Sequence, residues 1–309
     1  MDQLGGYFAR LRLSRCSVLS TFKLCREESC TCRSKDSVSW SPDKHDSAFR
    51  SRSNPIWFEN LLGGKDPALV LFCFPYAGGS TNAFRHWRPC LPSEVNVCLV
   101  HVPGRGKRVN ERPLTRLNLL VEAIADQICS DLRYPFAFYG HSMGAMISFE
   151  LARELRRRYG VEPVGLFLSG RPAPQLVRSG PIAFDLPHDD FIAILRKLNG
   201  TPRELLENPE VLELLLPALR ADFEIVDTYE YRPEPRLSCP ITVYGGLQDR
   251  AAPIGDLLRW KELTLAAFRV RWFRGDHFFI HAPDGEFLEA LRLDIFDTLF
   301  DSRGEALST

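Results

Sequence analysis

The chain has 309 residues, of which 45% are hydrophobic and 25% charged, the composition of an ordinary globular protein long enough for one large α/β domain or two small ones. Its 39 Lys and Arg balance 39 Asp and Glu, so no global field recruits nucleic acid or an anionic membrane. No apolar run approaches the ~20 residues of a membrane span.

Residues 1–55 differ from the rest. They are rich in Ser, Arg and Cys and lack sustained periodicity, so they are expected to form a disordered extension. Asp2, Glu27 and Glu28 argue against a transit peptide, and the apolar stretches are too short for a secretory signal. Cys16, Cys25, Cys30 and Cys32 match no usual zinc spacing. Cys73, Cys98 and Cys129 lie in apolar runs, where a free thiol acts as a small core residue. The nine cysteines therefore suit a reducing cytoplasm rather than a disulfide framework.

From Ala68 onward, short apolar runs alternate with helical patterns. Ala68 to Phe74 reads as a buried parallel strand ending in Phe74-Pro75-Tyr76-Ala77-Gly78-Gly79-Ser80, with a helix starting at Asn82. Val95 to Val102 is a second strand. The turn after it, Pro103-Gly104-Arg105-Gly106-Lys107-Arg108, lacks the Gly-Lys-Ser/Thr of a phosphate loop. Leu117 to Leu132 carries apolar residues at 117, 120, 121, 124, 128 and 132, a helix face of 3.6-residue period. Pro135 to Tyr139 is a strand and Ala145 to Tyr159 a helix, closed by three arginines and Gly160.

Between those two lies Gly140-His141-Ser142-Met143-Gly144. Strand, Gly-X-Ser-X-Gly, helix is the context of a nucleophile elbow: a turn so tight that the flanking residues must lack side chains, with the serine hydroxyl at its tip. The helix N-terminus behind it favours developing negative charge.

Pro163 to Ser169 is the next strand. From about 171 to 235 only helix patterns appear: Asp189 to Leu198, then Glu210 to Tyr231 with an interruption expected at Pro217. An insertion of this size between strands is expected to cover the site as a lid. Its apolar residues Phe191, Ile194, Leu195, Leu198, Leu214, Leu215, Leu219 and Phe223 are available for an acyl pocket or for packing. Alternation then resumes with a strand at Cys239 to Tyr244, a helix ending over Trp260 to Ala267, a strand at Phe268 to Phe273 and a closing helix at Glu286 to Phe300. Asp249 follows the first of these strands and His277 the second, at the strand ends where open parallel sheets bind ligands.

Ser, then Asp, then His is the chain order of an α/β-hydrolase. Ser142 is the candidate nucleophile, His277 the base that takes its proton, and Asp249 the acid that holds the imidazole in its working tautomer. The backbone amides of Ala77 and Met143 are the candidate oxyanion donors. Asp276 and Asp222 compete for the acid's role and His281 for the base's. His141 is expected to lie beneath the elbow, and His86, His101 and His188 to be structural. No cluster has metal-ligand spacing, so neither metal nor cofactor is expected.

Five segments together resemble the type II thioesterases that accompany nonribosomal peptide and polyketide synthases: Phe74 to Ser80, Pro103 to Gly106, Gly140 to Ala145, Gly245-Gly246-Leu247-Gln248-Asp249 and Gly275-Asp276-His277-Phe278-Phe279. The similarity runs from about Trp57 to Phe300 and includes Leu198 to Pro202 and Leu219 to Phe223. Tyr76 departs from the family, which commonly has histidine there; little effect is expected outside the triad. The resemblance implies an α/β-hydrolase fold over 56–302, a mostly parallel central sheet flanked by helices, with a lid at about 171–235 and a tail at 303–309. It further implies hydrolysis of acyl thioesters on the phosphopantetheine arm of acyl or peptidyl carrier proteins, removing stalled or wrong acyl groups. The reduced cysteines and balanced charge add the expectation of a cytoplasmic protein with no nucleic-acid or membrane partner, and a monomer is the simpler expectation. The same triad serves a transacylase or cyclase, a medium-chain fatty-acyl thioesterase or a small-molecule esterase. A noncatalytic carrier-binding protein would not need it.

Overall fold

The computed structural model describes residues 56–61, 66–128, 132–177, 182–198, 200–201, 203–282 and 285–301; the extension expected over 1–55 and the tail at 303–309 lie outside them. Seven strands form one sheet: β1 (Phe58–Leu61), β2 (Leu69–Phe74), β3 (Val95–Val100), β4 (Phe136–His141), β5 (Gly165–Ser169), β6 (Ile241–Gly246) and β7 (Phe268–Phe273). Their spatial order is β1-β3-β2-β4-β5-β6-β7. Every neighbouring pair is parallel except β1 with β3.

The central strands are apolar throughout because both faces of the sheet are covered. Phe72, Phe74, Phe138, Leu166 and Leu168 point to one core, shared with α1 (Leu117–Ile128) and α2 (Met143–Tyr159). The alternate residues Leu71, Cys73, Tyr139, Phe167 and Tyr244 point to the other, shared with a 3₁₀ helix at Thr81–Cys90 and with α7 (Glu286–Asp301). The chain runs outward from β2 to β3, then crosses back to β4 on the other side of β2. The crevice beyond the carboxyl ends of β2 and β4 is therefore the topological switch point.

The insertion between β5 and β6 holds α3 (His188–Leu198), α4 (Arg203–Leu206) and α5 (Pro209–Thr228). It has a small core of its own, in which Phe191, Ile192, Leu195, Leu206, Leu212 and Leu219 pack together. Of the residues available for an acyl pocket, Phe191, Leu195 and Leu219 are spent on this core, while Leu214 faces solvent at 63% exposure.

Two local expectations are corrected, and one strand is added. Pro217 does not interrupt its helix: α5 runs through it. The carbonyl that loses its donor belongs to Glu213, which is exposed like Pro217 and has water to bond. The helical stretch that includes α6 (Ile254–Leu258) ends at Leu263, not Ala267. Thr264 turns extended, its Oγ1 donates to Cys239 O at 2.7 Å, and Leu265 N–H donates to Leu237 O at 2.8 Å. Strand β1 had no strand pattern in the sequence; four residues acquire their conformation by pairing with Val97 to Val100.

Candidate active site

Ser142 sits between β4 and α2 with φ 54° and ψ −111°, the one non-glycine residue at positive φ among those described. Such a conformation costs about 1–3 kcal/mol and persists only where its surroundings over-determine it. Here they do. The Ser142 N–H donates to Ser169 O at 2.8 Å, and Ala145 N–H donates back to Ser142 O at 3.1 Å. A Cβ on Gly140 would lie 2.0 Å from Gly144 O, and one on Gly144 would lie 2.1 Å from Phe74 O. The second contact also seats the elbow against the end of β2, where the Tyr76 to Ser80 loop begins.

In that loop the Gly79 N–H donates to Tyr76 O at 2.8 Å, closing a turn with Ala77 and Gly78 at its centre. Met143 is the first residue of α2. The two candidate oxyanion amides thus belong to segments that meet at Phe74 and Gly144.

Asp249 and His277 come together from separate strands. Asp249 follows β6 and His277 follows β7, and His277 Nδ1 donates to Asp249 Oδ2 at 2.8 Å. The other carboxylate oxygen accepts the amides of Ala251 at 2.8 Å and Ala252 at 3.2 Å. Buried to 7% exposure and bonded on both oxygens, the acid has one orientation. The His277 ring stands beside the elbow, 4.9 Å from the ring of His141 between centroids, and a Cβ on Gly170 would touch both rings.

The competing residues are engaged elsewhere. Asp276 Oδ1 accepts Phe278 N–H at 2.9 Å within its own turn. Asp222, on α5, is fully buried in a two-pronged pair with Arg105 and does not reach His277. His281 Nε2 pairs with the Tyr76 hydroxyl at 3.2 Å, and burial holds its pKa below the ordinary imidazole value. Tyr76 is outside the triad, as expected, yet packs edge-on against His141 and Phe278. His141 lies under the elbow and bonds the Ser169 side chain at 2.9 Å. His101 pairs with Glu59 at 2.9 Å. Among the described residues, no group of three or more His, Cys, Asp or Glu is placed to hold a metal ion.

The sequence sets Arg105 in a turn that fails as a phosphate loop and offers Asp222 as a competing triad acid, and nothing in it pairs the two. Both fall in segments carried by the family resemblance, which was the available signal. Partners 117 residues apart leave no periodicity to read. The insertion reaches the site through Leu219, which packs on Gly78, through Asp222, which accepts the Gly78 N–H, and through Gly200, against the ring of Phe278 beside His277.

Known proteins share this chain's sequence pattern and fold. The thioesterase domain family matches residues 70–296. Over 233 residues the chain is 45% identical to the gramicidin S biosynthesis protein GrsT of Aneurinibacillus migulanus, covering 75% of this chain and 91% of that protein. The RedJ thioesterase from the prodiginine biosynthetic pathway of Streptomyces coelicolor superposes with a TM-score of 0.70 at 36% identity, covering 74% of this chain and 91% of that one. The type II thioesterase BorB from the borrelidin biosynthetic cluster does so with a TM-score of 0.71 at 32% identity, covering 79% and 97%. The chain belongs to the thioesterase domain family, on an α/β-hydrolase fold, and is a hydrolase of thioesters.

Proposed function

We propose that the protein releases acyl groups from the phosphopantetheine arms of acyl or peptidyl carrier proteins by hydrolysis, clearing stalled or aberrant intermediates from a nonribosomal peptide or polyketide synthase. The observation that carries this reading is the Asp249–His277 pair at 2.8 Å beside an elbow that presents Ser142 at positive φ. The relatives' roles in such pathways support the choice of substrate.

In this mechanism Ser142 Oγ attacks the thioester carbonyl as His277 Nε2 takes its proton, with Asp249 stabilising the imidazolium. The Ala77 and Met143 amides receive the oxyanion, at about 3–4 kcal/mol per donor. Collapse breaks the C–S bond, and the pantetheine sulfur leaves with the proton from His277. Water then gives a proton to His277 and attacks the acyl-serine. Collapse returns that proton to Ser142 Oγ and frees the carboxylic acid. The scheme uses only the chain's own groups, its carrier-bound substrate and water. The insertion admits the thin arm and excludes bulk water. The enzyme works as a cytoplasmic monomer, in keeping with its free thiols and balanced charge. Among the described residues no helix is long and apolar enough to cross a membrane.

Incubation with an acyl-loaded carrier protein, followed by mass spectrometry of carrier and product, tests the reading. Free carboxylic acid and unloaded carrier are expected, with kcat falling by roughly 10⁴-fold or more in Ser142→Ala. Retained turnover in that variant, or a dominant ester, amide or lactone product, would overturn it.

A further inference from the structure

Three segments meet on one buried carboxylate. Asp222 rides on α5 and is fully buried. Its Oδ2 accepts the Gly78 N–H at 2.7 Å, and both its oxygens accept the guanidinium of Arg105. Arg105 comes from the turn after β3, is itself buried to 7% exposure, and extends Nη1 to Gly79 O at 3.4 Å. Leu219, one turn before Asp222, packs so closely on Gly78 that a Cβ there would lie 2.5 Å from its Cδ2.

The peptide geometry gives these bonds a catalytic meaning. The Ala77 N–H shares a rigid plane with the Tyr76 carbonyl, and that carbonyl accepts from Gly79 N–H. The next plane carries the Gly78 N–H, which Asp222 holds. The two planes meet at the Ala77 Cα, so fixing both sets the direction of the Ala77 amide. Asp222 also occupies the Gly78 donor, leaving it no part in oxyanion binding. Burial of an ion pair is a poor source of stability, so the pair's value lies in geometry.

We propose that Arg105 and Asp222 are positioning residues that aim the Ala77 amide and make the oxyanion site depend on the docked insertion. The inference rests on the oxyanion assignment above. Loss of one oxyanion donor costs about 10²–10³ in kcat. A misaimed donor in Asp222→Ala is expected to cost roughly 30–100-fold in kcat toward an acyl-pantetheine thioester, with KM within about threefold of wild type. A trifluoromethyl ketone of the same acyl chain, which places an oxyanion in the site when Ser142 adds to it, should bind more weakly by a similar factor. Arg105→Ala should resemble Asp222→Ala, Arg105→Lys should recover part of the loss by restoring the charge without the fork, and the double variant Arg105→Ala/Asp222→Ala should be no worse than Asp222→Ala, because the two act as one unit.

Circular dichroism and thermal unfolding establish that each variant is folded at the assay temperature. Should Asp222→Ala not fold, Asp222→Asn carries the test, with a kcat loss of about tenfold or more expected at unchanged KM. Wild-type kcat in a folded Asp222 variant, a loss confined to KM, or unchanged ketone affinity would overturn the inference. Such a result with Ser142→Ala inactive leaves the proposed function standing, whereas activity in Ser142→Ala rejects that function itself.

Discussion

The His141 imidazole lies 4.9 Å from that of His277 between ring centroids, yet the two rings live in different surroundings. His277 reaches Asp249. His141 has no exposed surface and bonds the Ser169 hydroxyl at 2.9 Å. Burial first, then the charges of His277 and His281, hold its pKa well below the ordinary 6.5.

A neutral His141 imposes a sign on the pH dependence of stability. Below pH 6.5 the unfolded chain protonates this residue and the folded chain does not, so the unfolded state binds more protons. His141 therefore lets stability drain away as pH falls from about 6.5 toward the lower folded value, at up to about 1.4 kcal/mol per pH unit. His141→Gln keeps a partner for Ser169 and removes the titration. Thermal melts of both proteins from pH 7.5 to 5 are expected to show the wild type losing stability faster. Parallel curves would mean that His141 ionises equally in both states.

Asp249 holds a bond that Asp222 does not. In Asp249→Asn the amide offers His277 either a donor or a weaker acceptor, and the imidazole loses its set tautomer. The expected fall in kcat is about 10⁴-fold with the fold intact, larger than the loss expected for Asp222 variants. Steady-state kinetics on one thioester rank the two. A greater loss in Asp222→Asn than in Asp249→Asn would exchange their roles.

Two glycines, one inside α2 and one capping it, separate crowding from conformation. Gly144→Ala places a Cβ 2.1 Å from Phe74 O, a backbone atom that cannot swing aside. Gly160 closes the same helix at φ 69° with open space where a Cβ would go. Gly160→Ala is expected to cost only the left-handed conformation, about 1–2 kcal/mol. Gly144→Ala should reach or exceed the roughly 1–3 kcal/mol of overpacking and displace the elbow, abolishing activity. Denaturant unfolding compares the two; equal costs would show that the elbow relaxes freely.

The order of the elements, the elbow and the Ser142–Asp249–His277 set were legible in the sequence because each is written locally. A strand buried on both faces reads as a continuous apolar run, a turn that must be bare of side chains shows its glycines, and chain order restricts which acid and base follow. Short-range signals overreached where a tertiary partner intervened. Thr264 left its helix for the Cys239 carbonyl, and Phe58 to Leu61 became a strand only beside Val97 to Val100. The destination of Asp222 was likewise invisible. As a carboxylate in a helical insertion it competed with Asp249 for the triad only through a rearranged site, and no local pattern pointed to its partner. Only folding decides, by burying it against Arg105 from a distant turn and against the Gly78 amide. Burial forces an ionised group to find every partner it can, and which partners are within reach is a property of three dimensions. The sequence by itself determined the chemistry available at Ser142 and named Asp249 as the acid for His277; the tertiary structure joined those two at 2.8 Å and decided that Asp222 holds the insertion to the Gly78 amide and Arg105.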